Sequence, residues 1–194
     1  MVVWNLPNIL SLSRIAVVPI ILLFLASASW WGCFFAALLF IAAALTDMVD
    51  GYLARKAGQI TSFGKFVDPL ADKVLISAVL VMLVQLGWVG GWVAIIIISR
   101  DLMVTGLRAI AADEGMVIAA DKYGKIKTIL QIVALVPLML HYPLFGLPSH
   151  QIGTWLLYLA TALTVYSGWN YFAVFFYTTK EKKHPHQENK TSSL

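Results

Sequence analysis

Asp47, Asp50, Asp68 and Asp72 fall within 28 positions (46–73), beside four basic residues, in a 194-residue chain that is 60% hydrophobic and only 12% charged. A spacing of three between the first pair and four between the second puts each pair on one helical face. Carboxylates aimed at one another repel, and unaided they hold on to protons. Divalent cations remove that conflict, and an all-carboxylate oxygen shell suits Mg2+ or Mn2+ over softer metals. Two such ions about 3.5–4 Å apart clamp phosphoryl oxygens and stabilise both attacking and leaving groups. Gly51 and Gly64 allow close approach, and Arg55 and Lys56 supply positive charge for phosphates. The competing reading is an interfacial salt-bridge cluster with Arg55, Lys56, Lys65 and Lys73. Matched faces on two segments weigh against it, because ionisable groups in a membrane protein default to function.

The elements that must position these acids are membrane helices. Mean hydropathy is +0.80, and residues 15–46, 74–99 and 128–179 contain no Asp, Glu, Lys or Arg. A spanning helix needs about 20 apolar residues. Breaks rich in Gly, Pro and Trp at 27–32, 85–92 and 141–153 divide the chain into six expected spans, 8–27, 32–53, 70–87, 91–112, 126–142 and 152–177. All 24 charged residues avoid those three breaks. Lys and Arg mark the cytoplasmic side. The expectation is therefore an all-α polytopic membrane protein with six transmembrane helices and both termini cytoplasmic. The short 53–66 connection makes the second and third helices neighbours, with Pro69 in the first turn of the third. The opening lacks the basic start of a signal peptide and is expected to be retained. The single Cys33 permits no internal disulfide. Residues 1–179 read as one membrane domain, and 180–194 as a basic polar tail drawn to the membrane surface. Nothing points to nucleic acid.

Asp47, Asp50, Gly51, Ala54, Arg55, Gly64, Asp68 and Asp72 spell D-x2-D-G-x2-A-R-x8-G-x3-D-x3-D without a departure. That pattern resembles the signature of the CDP-alcohol phosphotransferases, membrane enzymes that displace CMP from a CDP-linked lipid or alcohol. The resemblance implies that Asp47, Asp50, Asp68 and Asp72 hold two Mg2+ or Mn2+ ions and that Asp72 is also the general base. It implies that Gly51, Arg55 and Thr61 contact the CDP part of the donor. The start "PNILSLSR" is similar to the family's P-N-x-x-T-x-x-R, with Ser11 in place of Thr, and adds Asn8 and Ser11 as nucleotide contacts. The resemblance also implies a homodimer, and the distribution of Lys and Arg puts the active site on the cytoplasmic face of the inner membrane.

Residues 99–131 resemble the family's glycerol-phosphate branch, with Asp101 where that branch more often has Glu. A phosphorylated acceptor needs cations, and Arg108, Lys125 and Lys127 are the candidates, with Arg14 and Arg100 behind them. Ordinary positive-inside charge is the bland alternative. The expected substrates are CDP-diacylglycerol and sn-glycerol 3-phosphate, with the lipid tails among membrane lipids. Inositol phosphate or serine as acceptor, or a divalent-cation transporter, are the competing readings. Transport would favour acids at mid-bilayer on broken helices. The last two spans read as membrane packing.

Overall fold

The computed structural model describes backbone residues 6–57, 62–113, 122–143 and 146–183, with side chains at 9–46, 70–113, 124, 126–143 and 146–177. These residues form six helices and no strands: α1 (Leu6–Ala26), α2 (Trp30–Ala57), α3 (Ser62–Gln85), α4 (Gly91–Asp113), α5 (Lys122–Leu140) and α6 (Ser149–Lys183). The apolar runs locate each helix, but four ends lie four residues or more further out than expected. Helix α3 starts at Ser62 rather than near 70, α5 at Lys122 rather than 126, and α2 and α6 continue to Ala57 and Lys183. Polar residues such as Lys and Glu are good helix formers, so the helix outlasts the apolar stripe. Pro69 consequently sits inside α3 and not in its first turn.

Packing follows from where the apolar side chains meet. Helix α1 lies against both α2 and α3, α5 against α2, α3 and α6, and α4 against α3 and α6. Ile21, Phe40, Leu80, Ile97, Leu138 and Leu157, one from each helix, are buried in a common core. The outer surface is equally apolar, with Leu23, Ile95, Trp155 and Trp169 exposed. A helix that is apolar on all sides suits lipid or a large core, not water. Among the described residues, 9–26 in α1 is the one stretch long and apolar enough to cross a membrane by length and composition. The apolar parts of α2 and α5 among the described residues, Trp30–Thr46 and Ile126–Leu140, are shorter.

The connections are tightly made. Ser29 caps α2, its hydroxyl accepting from Gly32 N at 3.1 Å and its carbonyl from Cys33 N at 2.9 Å, as an N-cap serine does. Helix α3 ends on Gly87, whose φ of 73° lets Trp88 N reach Leu83 O at 2.9 Å and Gly87 N reach Val84 O at 3.0 Å. That is the paired closure of a Schellman motif. Helices α5 and α6 approach closely at Gly153, where a Cβ would stand 2.7 Å from Leu138 Cγ, 2.9 Å from Leu138 N and 3.0 Å from Ala134 O. Two of those atoms are backbone and cannot step aside. Gly153→Ala should force the helices apart at a cost of about 1–3 kcal/mol. A thermal-unfolding midpoint in detergent equal to the parent's would show that the contact is looser than this.

Candidate active site

Five helices converge on a cavity of about 430 Å3. Ala44 of α2 and Asp72 and Lys73 of α3 line one side. Arg100, Asp101, Thr105 and Arg108 of α4, Gly124, Lys127 and Thr128 of α5, and Ser167 and Tyr171 of α6 line the rest. The cations Lys73, Arg100, Arg108 and Lys127 thus face the same space as the carboxylates of Asp72 and Asp101. Helical spacing explains the α4 contribution, since Arg100, Asp101, Val104, Thr105 and Arg108 recur at three and four residues.

The cations are held in place by neighbours. Lys127 is 4% exposed and its ammonium donates to Asp101 Oδ1. Arg100 Nη1 lies 3.2 Å from the same oxygen, and its Nη2 donates to Ser167 Oγ at 2.5 Å. Asp101 therefore ties an arginine on α4 to a lysine on α5, while α6 grips the arginine from behind. A Cβ at Gly168 would come within 3.0 Å of Arg100 Cγ, so the absence of a side chain there makes room for the guanidinium stem. The Arg108 guanidinium carbon stands 5.9 Å from the centre of the Tyr171 ring, within cation–π range. Tyr171 is 4% exposed, and its hydroxyl has no hydrogen-bond partner among the described residues.

Of the expected site residues, Asp72, Arg100, Arg108 and Lys127 are brought together here. Ser11 and Arg14 are buried, three residues apart on α1, and do not line this cavity. Asp47, Asp50, Gly51 and Arg55 belong to α2, Asp68 to α3, Asn8 to α1 and Lys125 to α5; their side chains lie outside the described residues, and so does Thr61 altogether. Asp47 follows Ala44 by three positions on an unbroken α2. Among the described side chains no three metal-ligating groups gather, Asp72 being the one of the four aspartates included.

The last two helices are not inert packing, contrary to the expectation from their sequence. Thr161, Thr164, Ser167 and Tyr171 are buried polar residues at spacings of three and four, a polar stripe turned inward along α6. That periodicity was visible in a charge-free run and was the signal for Ser167 and Tyr171. The Asp101–Lys127 pairing, across 26 positions, had no local signal.

Residues 4–166 match the CDP-alcohol phosphatidyltransferase family. The chain belongs to that family. It is 46% identical over 182 residues to the CDP-diacylglycerol–glycerol-3-phosphate 3-phosphatidyltransferase of Bacillus subtilis (strain 168), covering 88% of this chain and 94% of that protein. An enzyme of the same name from Rickettsia felis (strain ATCC VR-1525 / URRWXCal2) is 39% identical over 169 residues, covering 87% and 93%. Another from Shigella flexneri serotype 5b (strain 8401) is 36% identical over 175 residues, covering 88% and 94%. For a CDP-alcohol phosphatidyltransferase, the cavity's chemistry is apt: a carboxylate that can take a proton faces side chains that can hold a phosphate.

Proposed function

We propose that this chain is a CDP-diacylglycerol–glycerol-3-phosphate 3-phosphatidyltransferase, which makes phosphatidylglycerophosphate and CMP. The observation that carries the reading is the meeting of Asp72 with Arg100, Arg108 and Lys127 around one cavity, in a chain whose relatives bear that name. A phosphorylated acceptor is a dianion, and Lys127, buried against Asp101, together with the half-buried Arg100, held by Asp101 and Ser167, needs little reorganisation to receive it. Arg108, Arg100 and Lys127 bind its phosphate, with Lys125 and Arg14 as further contributors. That places a hydroxyl of the acceptor toward Asp72.

Asp72 removes the hydroxyl proton, because an alcohol is a poor nucleophile until deprotonated. The oxygen then attacks the lipid-bearing phosphorus of CDP-diacylglycerol. The new P–O bond forms as the bond to CMP breaks, and CMP leaves with the electron pair. The carboxylates of Asp47, Asp50, Asp68 and Asp72 are a donor set that fits two Mg2+ or Mn2+ ions. Such ions would screen the diphosphate and stabilise the departing CMP. Asn8, Ser11, Gly51, Arg55 and Thr61 are assigned to the nucleotide end. Val104, Ile129 and Ile132 give the cavity an apolar flank, and Ile129 is also exposed on the outside of the bundle, an arrangement that favours lateral access for acyl chains.

All six helices are taken to cross the membrane with both termini and the cavity on the cytoplasmic side, since Lys and Arg concentrate at one set of helix ends. The working unit is taken to be a homodimer in the inner membrane. CMP release by the purified chain with glycerol 3-phosphate, inositol phosphate and serine tests the assignment. Turnover with the first alone is expected, and preference for either of the others would overturn it. Tyr171 lines the cavity, where its hydroxyl would donate to the acceptor, so Tyr171→Phe should raise the KM for glycerol 3-phosphate about threefold to tenfold, the worth of one hydrogen bond. An unchanged KM would confine Tyr171 to packing against Arg108.

A further inference from the structure

The bundle end remote from the cavity holds groups that the transfer reaction does not use. Two of the chain's four histidines, His184 and His186, lie outside the described residues. The other two meet across the α5–α6 connection, with ring centroids 4.8 Å apart and planes tilted by 63°. His141 follows the end of α5 and lies flat on Trp88, 3.9 Å between centroids. It keeps a left-handed φ of 51°, a conformation that a side-chain-bearing residue holds only when its surroundings insist. The Tyr142 hydroxyl, donating to Ala28 O, anchors that connection to the α1–α2 turn.

Both imidazoles leave Nδ1 buried and without a hydrogen-bond partner among the described residues. Each such orphan costs about 1–3 kcal/mol, so two side by side call for a shared ligand. Two imidazoles on a tetrahedral ion, with metal–nitrogen bonds of about 2.0–2.1 Å, have ring centres roughly 5 Å apart. The observed separation fits that geometry. Lys127 is fourteen residues away along α5, about 21 Å at 1.5 Å per residue, so this locus is distinct from the cavity.

We propose that His141 and His150 bind a borderline divalent cation of the Zn2+ or Ni2+ class through their two Nδ1 atoms. Mg2+ does not compete, because imidazole is a poor ligand for it. The experiment is a calorimetric titration of the untagged full-length chain in detergent with ZnCl2. Excess Mg2+ occupies the carboxylates, and His184→Ala with His186→Ala removes the tail imidazoles. One ion per chain is expected, bound at least tenfold more weakly in His150→Gln and in His141→Asn. Asn is chosen at 141 because it tolerates the left-handed backbone. Retained CMP release in both variants reports that they are folded. Absence of saturable Zn2+ uptake in the parent, or uptake unchanged by both substitutions, overturns the proposal and leaves the transfer reaction untouched.

Discussion

Asp72→Asn is expected to lower CMP release by about 10²–10⁴-fold, the usual contribution of a positioned general base. The substitution preserves shape and removes the charge, so it deletes the proton acceptor while leaving the α3 backbone and cavity wall undisturbed. Asp72 is half-buried and lines the space that Arg100, Arg108 and Lys127 also face, and the chain should still insert and elute as the parent does. Raising Mg2+ separates two ways of losing activity. A residue that served only as a metal ligand would regain turnover at high Mg2+, whereas a missing base is not replaced by more metal. Near-parental turnover in the variant would remove Asp72 from the mechanism.

Lys127→Ala should raise the KM for glycerol 3-phosphate by about 10–100-fold while changing the donor KM little, since a hydrogen bond to a charged group contributes about 1.5–3 kcal/mol. The lysine is buried and bonded to Asp101, so its removal leaves that carboxylate with Arg100 as its one ion-pair partner among the described residues. Arg100 would then be drawn toward Asp101 and away from the acceptor. Asp101→Asn should raise the same KM by a smaller factor, because Lys127 survives but loses its fixed position. In the double variant the two effects should be less than additive, the mark of residues that act through one contact. Equal changes in donor and acceptor KM would detach Lys127 from acceptor binding.

Much of the architecture was written in composition. Charge-free runs of 26 residues or more have little option but apolar helices, and all six were legible in them. Their ends were not, because a polar residue beyond the apolar stripe is compatible with helix and with loop alike. Ser62 and Lys183 show this at opposite extremes of the chain. Pro69 lies deeper in α3 than the apolar run suggests for the same reason: its position within the helix depends on a start, Ser62, that hydrophobicity does not mark.

The site divides along a similar line. The aspartate spacing and the Arg100 and Arg108 periodicity are local, and helix geometry converts such spacing directly into a shared face. What the sequence determined alone is therefore the family, the helix count and the residue types offered for phosphoryl transfer. Only tertiary structure decided that α6 takes part through Ser167 and Tyr171, that Gly168 makes room for Arg100, and that Asp101 joins that arginine to Lys127. Contacts between helices depend on rotation about each axis and on the distance between axes. Those quantities are set by the packing of the whole core, and no short stretch of the chain encodes them.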